Sequence, residues 1–348
     1  MSDVVEHRNA RTALVVALGM VLVLLAAGIA SVGYLQSRLT GGLEWIEDPF
    51  TGLTDRPVPV AQVDEDGEPV RAPVNILVLG SDSRISAGDP EQWQAGAQRT
   101  DAIMVVQLSG DRSDLTVMSI PRDSWVEVPG HGMNKINAAF SFGGPTLMIQ
   151  TVEHLTGIRI DHFAVADFAS FSGLTDELGG VEIELTQPLT AGSETLEPGR
   201  HELDGEQALT YTRQRYNVAG GDFGRVQRQQ NWMRAIMSAA SDREVLSSPG
   251  RTLSLVQTIT RSVAVDQSLT SARMLGLAVT ARDLELEDAR FLTAPYAGTG
   301  WSPDGRQSIV RLDQPRFDEV CAAFAEDRVA EYLDANPDAA PRLGEHVD

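Results

Sequence analysis

Hydrophobic positions change their pattern sharply along this chain. Residues 13–35 form a run of 23 positions without a charge, including Leu14-Val15-Val16-Ala17-Leu18 and Val21-Leu22-Val23-Leu24-Leu25. As a helix the run reaches roughly 35 Å, enough to cross a hydrocarbon core of about 30 Å. Arg8 and Arg11 precede it and only Arg38 follows closely, so the positive-inside bias predicts a cytoplasmic N-terminus and a chain that continues outside the membrane. Gly28-Ile29-Ala30 has the small-x-small look of a cleavage site. The run nevertheless exceeds the apolar core of a signal peptide, about 7–15 residues, which favours an uncleaved anchor.

Beyond the run, short periodic segments replace continuous apolarity. An apolar stretch at 74–79 ending in Gly80 predicts a strand, and segments 102–108 and 115–120 predict a hairpin across the turn residues Ser109-Gly110-Asp111-Arg112-Ser113-Asp114. Helical spacing follows at 145–156, with Leu147, Met148, Val152 and Leu155 before Gly157, and at 168–178, with Phe168, Phe171, Leu174 and Leu178 after the N-cap candidate Asp167. Strands are predicted at 158–165 and 181–185. A third helix at 224–240 aligns Val226, Gln230, Met233 and Met237. The last third reads as helices at 249–261 and 268–281, a strand at 289–292, a Gly/Pro-rich loop at 295–305 and one helix at 314–333. Strands and helices that mix without strict βαβ repetition predict an α/β (α+β mixed) fold, a three-layer sandwich with a mixed central sheet flanked by helices, preceded by one transmembrane helix.

Composition and charge narrow the chemistry. The 348 residues are 42% hydrophobic and 22% charged, which excludes a disordered chain. A net charge of −21 disfavours a nucleic-acid binder. Eight carboxylates and one arginine between Glu44 and Glu68, interrupted by Pro49, Pro57, Pro59 and Gly67, predict an extended acidic spacer that anionic head groups repel. The one cysteine, Cys321, excludes an intramolecular disulfide and a cysteine-built metal site, and its helical setting marks it as a small buried apolar residue. No Gly-x-Ser-x-Gly elbow, Walker A loop or His-x-x-x-His pair is present, which removes support from serine-hydrolase, nucleotide-kinase and zinc-peptidase readings.

Aspartates and arginines carry what remains. Gly80-Ser81-Asp82-Ser83-Arg84 follows the first strand and Arg99-Thr100-Asp101 precedes the second. Carboxylates at adjacent strand ends can share a hard divalent cation, although on spacing alone solvated loop aspartates are the commoner outcome. Between Tyr211 and Arg234 there are five arginines and one acid, a local reversal of sign in an acidic chain. Guanidinium forks match phosphate oxygens bidentately. For Arg213 and Arg215, alternating beside Tyr211 at strand spacing, phosphate binding stands level with a solvated face or carboxylate pairing. For Arg228 and Arg234 a solvated helix face or carboxylate pairing is the expectation.

Taken together, these segments resemble the LytR-CpsA-Psr family: Asn75-Ile76-Leu77-Val78-Leu79-Gly80 with Asp82 and Arg84, Arg99-Thr100-Asp101, Ser119-Ile120-Pro121-Arg122-Asp123, Lys135-Ile136-Asn137-Ala138-Ala139-Phe140, Tyr-x-Arg-x-Arg at 211–215, and Asp222 through Gln230. The resemblance is close over 75–237 and loose beyond. It implies residues 1–11 in the cytoplasm, a membrane helix at 12–36, a linker at 37–72, a catalytic domain at 73–335 and a tail at 336–348. It also implies an extracytoplasmic phosphotransferase that moves a glycopolymer from a polyprenyl-pyrophosphate carrier onto peptidoglycan. Asp82 and Asp101 match the family's magnesium ligands, where manganese could substitute. Arg99, Arg122, Arg213, Arg215 and Arg225 match its pyrophosphate-binding arginines, with Arg99, Arg122 and Asp101 at the reacting group and Lys135 and Asn137 as further contacts. The alternatives are a membrane-bound pyrophosphate hydrolase, with water as acceptor, and a non-enzymatic surface regulator or polymer-binding protein.

Overall fold

The chain divides into two compact units, residues 1–42 and 43–348. The computed structural model describes residues 44–58, 71–81, 100–214, 221–240, 258, 263–280, 284, 289–344 and 347, all in the second unit. The apolar run at 13–35 lies outside them, as does most of the helix expected at 249–261. Among the described residues no helix is long and apolar enough to cross a membrane.

The elements run β1 (Glu44–Ile46), β2 (Val74–Ser81), β3 (Thr100–Leu108), β4 (Leu115–Ser119), β5 (Trp125–Val128), β6 (Gly132–Lys135), α1 (Ala138–Thr156), β7 (His162–Asp167), α2 (Phe168–Leu178) and β8 (Val181–Leu185). There follow β9 (Leu189–Ala191), β10 (Glu194–Leu196), β11 (Gly199–Leu203), α3 (Gly205–Arg213), α4 (Gly221–Ala240), β12 (Val263–Asp266), α5 (Ser271–Thr280), β13 (Arg290–Thr293), β14 (Tyr296–Trp301), β15 (Ser308–Leu312), α6 (Gln314–Ala325) and α7 (Val329–Ala335). Seven strands form the central sheet in the order β1-β12-β7-β2-β3-β4-β13. The sheet is mixed: β2 is parallel to β7 and antiparallel to β3, β3 is antiparallel to β4, and β4 is parallel to β13. The carboxyl ends of β2, β4, β7 and β13 and the amino end of β3 therefore share one rim.

Period-two alternation decides the layers. Leu77, Leu79, Ile103, Val105 and Met118 face one side and pack with Met148, Ile149 and Val152 of α1 and Phe317, Val320 and Phe324 of α6. Ala102, Met104 and Val117 face the other side and pack with Leu174 of α2, Tyr211 of α3, Trp232 and Ile236 of α4, and the β8–β11 hairpin. A mixed sheet between helices is the architecture the hydrophobic pattern predicts. The hairpin across residues 109–114 and helix α2 form where that pattern puts them, and α1 ends at Gly157, whose φ of 68° supplies a left-handed cap.

Several expectations change. The acidic segment is not spacer from its first residues: β1 pairs with β12 at the sheet edge, Ile46 is buried, and Arg56 clamps Glu153 of α1 at 2.7 Å. A three-residue edge strand leaves no periodic trace, and its partner lies more than two hundred residues downstream. Tyr211 to Arg213 close helix α3 and do not lie on a strand. Asp204 starts that helix with a capping box, its Oδ1 accepting the Gln207 N–H at 2.9 Å while Gln207 Oε1 accepts the Asp204 N–H at 3.1 Å. The expected loop at 295–305 contains β14, paired with β15. The single helix expected at 314–333 breaks into α6 and α7 at Asp327, whose φ is 54°. Helix α1 starts at Ala138, seven residues early, and bends at Gly143 and Gly144, whose backbone angles leave the helical range just before Pro145.

Candidate functional site

Of the sequence-predicted residues, the structure describes Asp101, Arg122, Lys135, Asn137, Arg213 and Arg225. Gly80 pairs with Ala102 and Ser81 with Thr100, so Asp101 is the extra residue of a bulge at the amino end of β3. Bulges commonly interrupt a ladder beside a functional site. Asp82 and Arg99 lie outside the described residues, although Ser81, which directly precedes Asp82, takes part in this register.

The next strand brings a second group. After β4, Ile120 donates its N–H to Ile103 O at 2.8 Å, and the chain turns through Pro121, whose carbonyl accepts the Ser124 N–H at 2.9 Å. Arg122 sits in that turn and Asn137 returns to it, its N–H meeting Arg122 O at 3.2 Å. Lys135 Nζ pairs with Asp123 at 3.0 Å, each about four-fifths buried. Arg122, Lys135 and Asn137 are thus held in one loop cluster by backbone hydrogen bonds. Asn137 precedes α1 but makes no side-chain cap bond.

Helix α4 supplies the opposite wall. Arg225 and Arg228 are 3% and 1% exposed, which corrects the expected solvated face for Arg228. Arg228 donates to Gln214 O at 2.7 Å, across the end of α3. Burial lowers the Arg228 pKa, Tyr211 opposes that shift and the neighbouring Arg225 charge adds to it. Arg234, half-buried on the same helix, reaches Asn231 Oδ1 at 2.7 Å and Gly344 O at 3.1 Å. The Arg225 and Arg228 guanidinium groups, both buried, repel each other. Arg213 ends α3 and is exposed, placed beside this wall by the Tyr211 hydroxyl, which accepts from Asn231 Nδ2 at 3.0 Å. Arg215 lies outside the described residues.

Sequence reasoning missed the groups that hold α4 in place. Gln230 Nε2 donates to Ser119 Oγ and to Leu292 O, both at 2.8 Å, joining α4 to β4 and β13 at the rim. Its signal was a glutamine inside an otherwise apolar helical stripe. Phe223 stacks on Tyr296 with centroids 4.0 Å apart and planes at 11°, fixing the first turn of α4 against β14. No local pattern connects those two rings. Among the described residues no three acids or histidines gather as a metal site.

The fold is a mixed α/β domain with an acid and an arginine following one end of its central sheet. Residues 52–325 match the LytR_cpsA_psr family, and the chain belongs to that family. It is 42% identical over 193 residues to the probable cell wall biosynthesis protein LcpB of Corynebacterium glutamicum, covering 53% of this chain and 46% of LcpB. It is 29% identical over 307 residues to the cell wall biosynthesis protein LcpA of the same organism, covering 75% of this chain and 57% of LcpA. The chain thus spans about half the length of the curated relatives it matches. Among solved structures, Bacillus subtilis TagT bound to LI-WTA superposes with a TM-score of 0.59 at 26% identity, covering 79% of this chain and 96% of TagT.

Proposed function

We propose that this protein transfers a glycopolymer phosphate from a polyprenyl-pyrophosphate carrier to a hydroxyl of peptidoglycan, working from outside the membrane to which residues 12–36 anchor it. The observation that supports the reading is the rim itself: in a chain of net charge −21, the Asp101 bulge and Arg122 follow one end of the sheet, and the helix tied to that end through Gln230 carries the buried Arg225 and Arg228. The bound LI-WTA of TagT, a wall teichoic acid ligand, agrees with a phosphate-rich glycan donor.

In this reading the acceptor oxygen forms a bond to the phosphorus that carries the glycan. The bond from that phosphorus to the distal lipid phosphate breaks, lipid monophosphate leaves, and the hydroxyl proton is lost to solvent. Arg99, Arg122, Arg213, Arg215 and Arg225 bind the pyrophosphate oxygens and neutralise charge on the leaving phosphate. Lys135 and Asn137, beside Arg122, orient the donor. Asp101, interrupting the ladder where β2 leads into Asp82, has the hard-oxygen chemistry that magnesium or manganese requires, and the two aspartates would hold that ion. When bound, the ion supplies further charge neutralisation on the phosphate oxygens.

The test incubates the full-length chain in detergent with a lipid-pyrophosphate glycan, magnesium and peptidoglycan oligomers. A phosphodiester-linked conjugate plus lipid monophosphate is expected, with release of lipid monophosphate much slower when acceptor is omitted. Release at the same rate with or without acceptor, and no conjugate, would replace this reading with a hydrolase. No product under any metal condition would favour a polymer-binding protein.

A further inference from the structure

The end of the sheet opposite the rim holds a cleft of about 300 Å³ between the β3–β4 turn and the junction of α6 with α7. Gln107 and Thr116 face each other across β3 and β4 on its lining, and they are 2% and 1% exposed. Gln107 donates through Nε2 to Asn75 Oδ1 and to Phe324 O, both at 2.8 Å, while its Oε1 has no hydrogen-bond partner. Thr116 Oγ1 has none either. Phe324 O also accepts the Asp327 N–H at 3.1 Å, which brings Asp327 beside the Gln107 amide. Asp327 Oδ2 accepts the Gly110 N–H at 2.9 Å, and Oδ1 is buried without a partner. Three buried acceptors without donors therefore belong to residues that line one cleft, and folding alone would leave each at a cost.

The charges around them point the same way. Asp111, Asp114 and Glu331 outnumber the one cation, Arg328, on the rest of the lining. The cations nearby make these bonds: Arg290 to Asp114 and Asp334, Arg112 to the carbonyls of Ala72 and Ser109, and Arg328 to Glu326; the Arg112 charge also acts on Asp327.

We propose that this cleft binds the primary ammonium group of a small organic cation. Such a head carries three N–H donors and one positive charge, which match Gln107 Oε1, Thr116 Oγ1 and Asp327 Oδ1, with the Asp327 carboxylate as counter-ion. A bare divalent ion fits less well, because the described residues offer no cluster of three acids or histidines. The ammonium comes from another molecule, since the one lysine of the chain, Lys135, pairs with Asp123 beyond the other end of β4. Six residue steps along β3, about 20 Å of strand, separate Gln107 from Asp101, so the cleft is distinct from the proposed transfer site and does not depend on it.

Butylammonium chloride titrated into the full-length chain, followed by calorimetry and thermal unfolding, is expected to bind saturably and raise the melting temperature. Tetramethylammonium at equal ionic strength has the charge without the N–H donors and is expected to do neither. Thr116→Val keeps the shape of the side chain, and Asp327→Asn keeps an acceptor for Gly110. Both remove a group that lacks a partner, so both are expected to fold and to bind butylammonium at least about tenfold more weakly. Absence of saturable butylammonium binding, an equal response to tetramethylammonium, a response to calcium or magnesium chloride alone, or unchanged affinity in both variants overturns the proposal.

Discussion

Gln230 is the test of how the rim is assembled. Its amide is 1% exposed and spends two N–H groups on Ser119 Oγ and Leu292 O, both 2.8 Å away. Gln230→Met preserves length and volume but leaves the carbonyl and the hydroxyl without those donors. Leu292 O stays within the β4–β13 ladder, so losing its second donor costs about 1 kcal/mol, while the orphaned buried hydroxyl costs about 1–2 kcal/mol. One term runs the other way: Gln230 Oε1 is itself buried without a hydrogen bond, and its removal returns about 1 kcal/mol. The net expectation is a loss of about 1–2 kcal/mol in urea unfolding, with the m-value unchanged. Ser119→Ala alone should cost about 1 kcal/mol, because the second amide hydrogen keeps its bond to Leu292. In the Gln230→Met background the same substitution should cost almost nothing, so the double-mutant cycle is expected to show coupling of about 1 kcal/mol. A Gln230→Met protein within about 0.5 kcal/mol of the parent, or strictly additive substitutions, would refute the claim that this bridge pins α4 to the rim.

The Asp266 carboxylate offers a pH-dependent case. Burial raises its pKa, but hydrogen bonds from His162, Ser268 and the Phe163 N–H outweigh burial and leave it below the ordinary carboxylate value. That stabilisation is present above the unfolded-state pKa and is lost as pH falls through the folded one, so Asp266→Asn is expected to cost about 1–3 kcal/mol at pH 7 and progressively less below about pH 4. A gap that stays constant down to pH 2 would contradict it. Arg56→Met leaves Glu153 buried with only the Ile160 N–H, at 2.9 Å, among the bonds described here, and should destabilise by about 2–4 kcal/mol, with Glu153→Gln recovering part of the loss in chemical denaturation. A thiol reagent at pH 8 should leave Cys321 unmodified until the chain unfolds, because burial, assisted by Asp318, pushes its pKa well up. Stoichiometric labelling of the folded protein would show that α6 opens.

What the sequence by itself determined follows from its local periodicities. Apolar runs at 74–79, 102–108 and 115–120 set three neighbouring strands, because a strand with two buried faces is continuously apolar and needs no distant information to be recognised. Gly157 and the stripe before it set the end of α1 for the same reason. The order of motifs also pointed to the family that the chain belongs to. Tertiary structure alone decided three things. It recruited β1 and β12 to the sheet, since short strands declare themselves only when a partner supplies the missing hydrogen bonds. It turned Arg228 inward, because the face that an arginine occupies depends on what packs against the helix and not on the residue type. It brought Gln230 to Ser119, 111 positions apart, and opened the oxygen-lined cleft between Gln107 and Asp327, 220 positions apart. Contacts of that range depend on how the chain closes its loops, and no local residue pattern encodes loop closure.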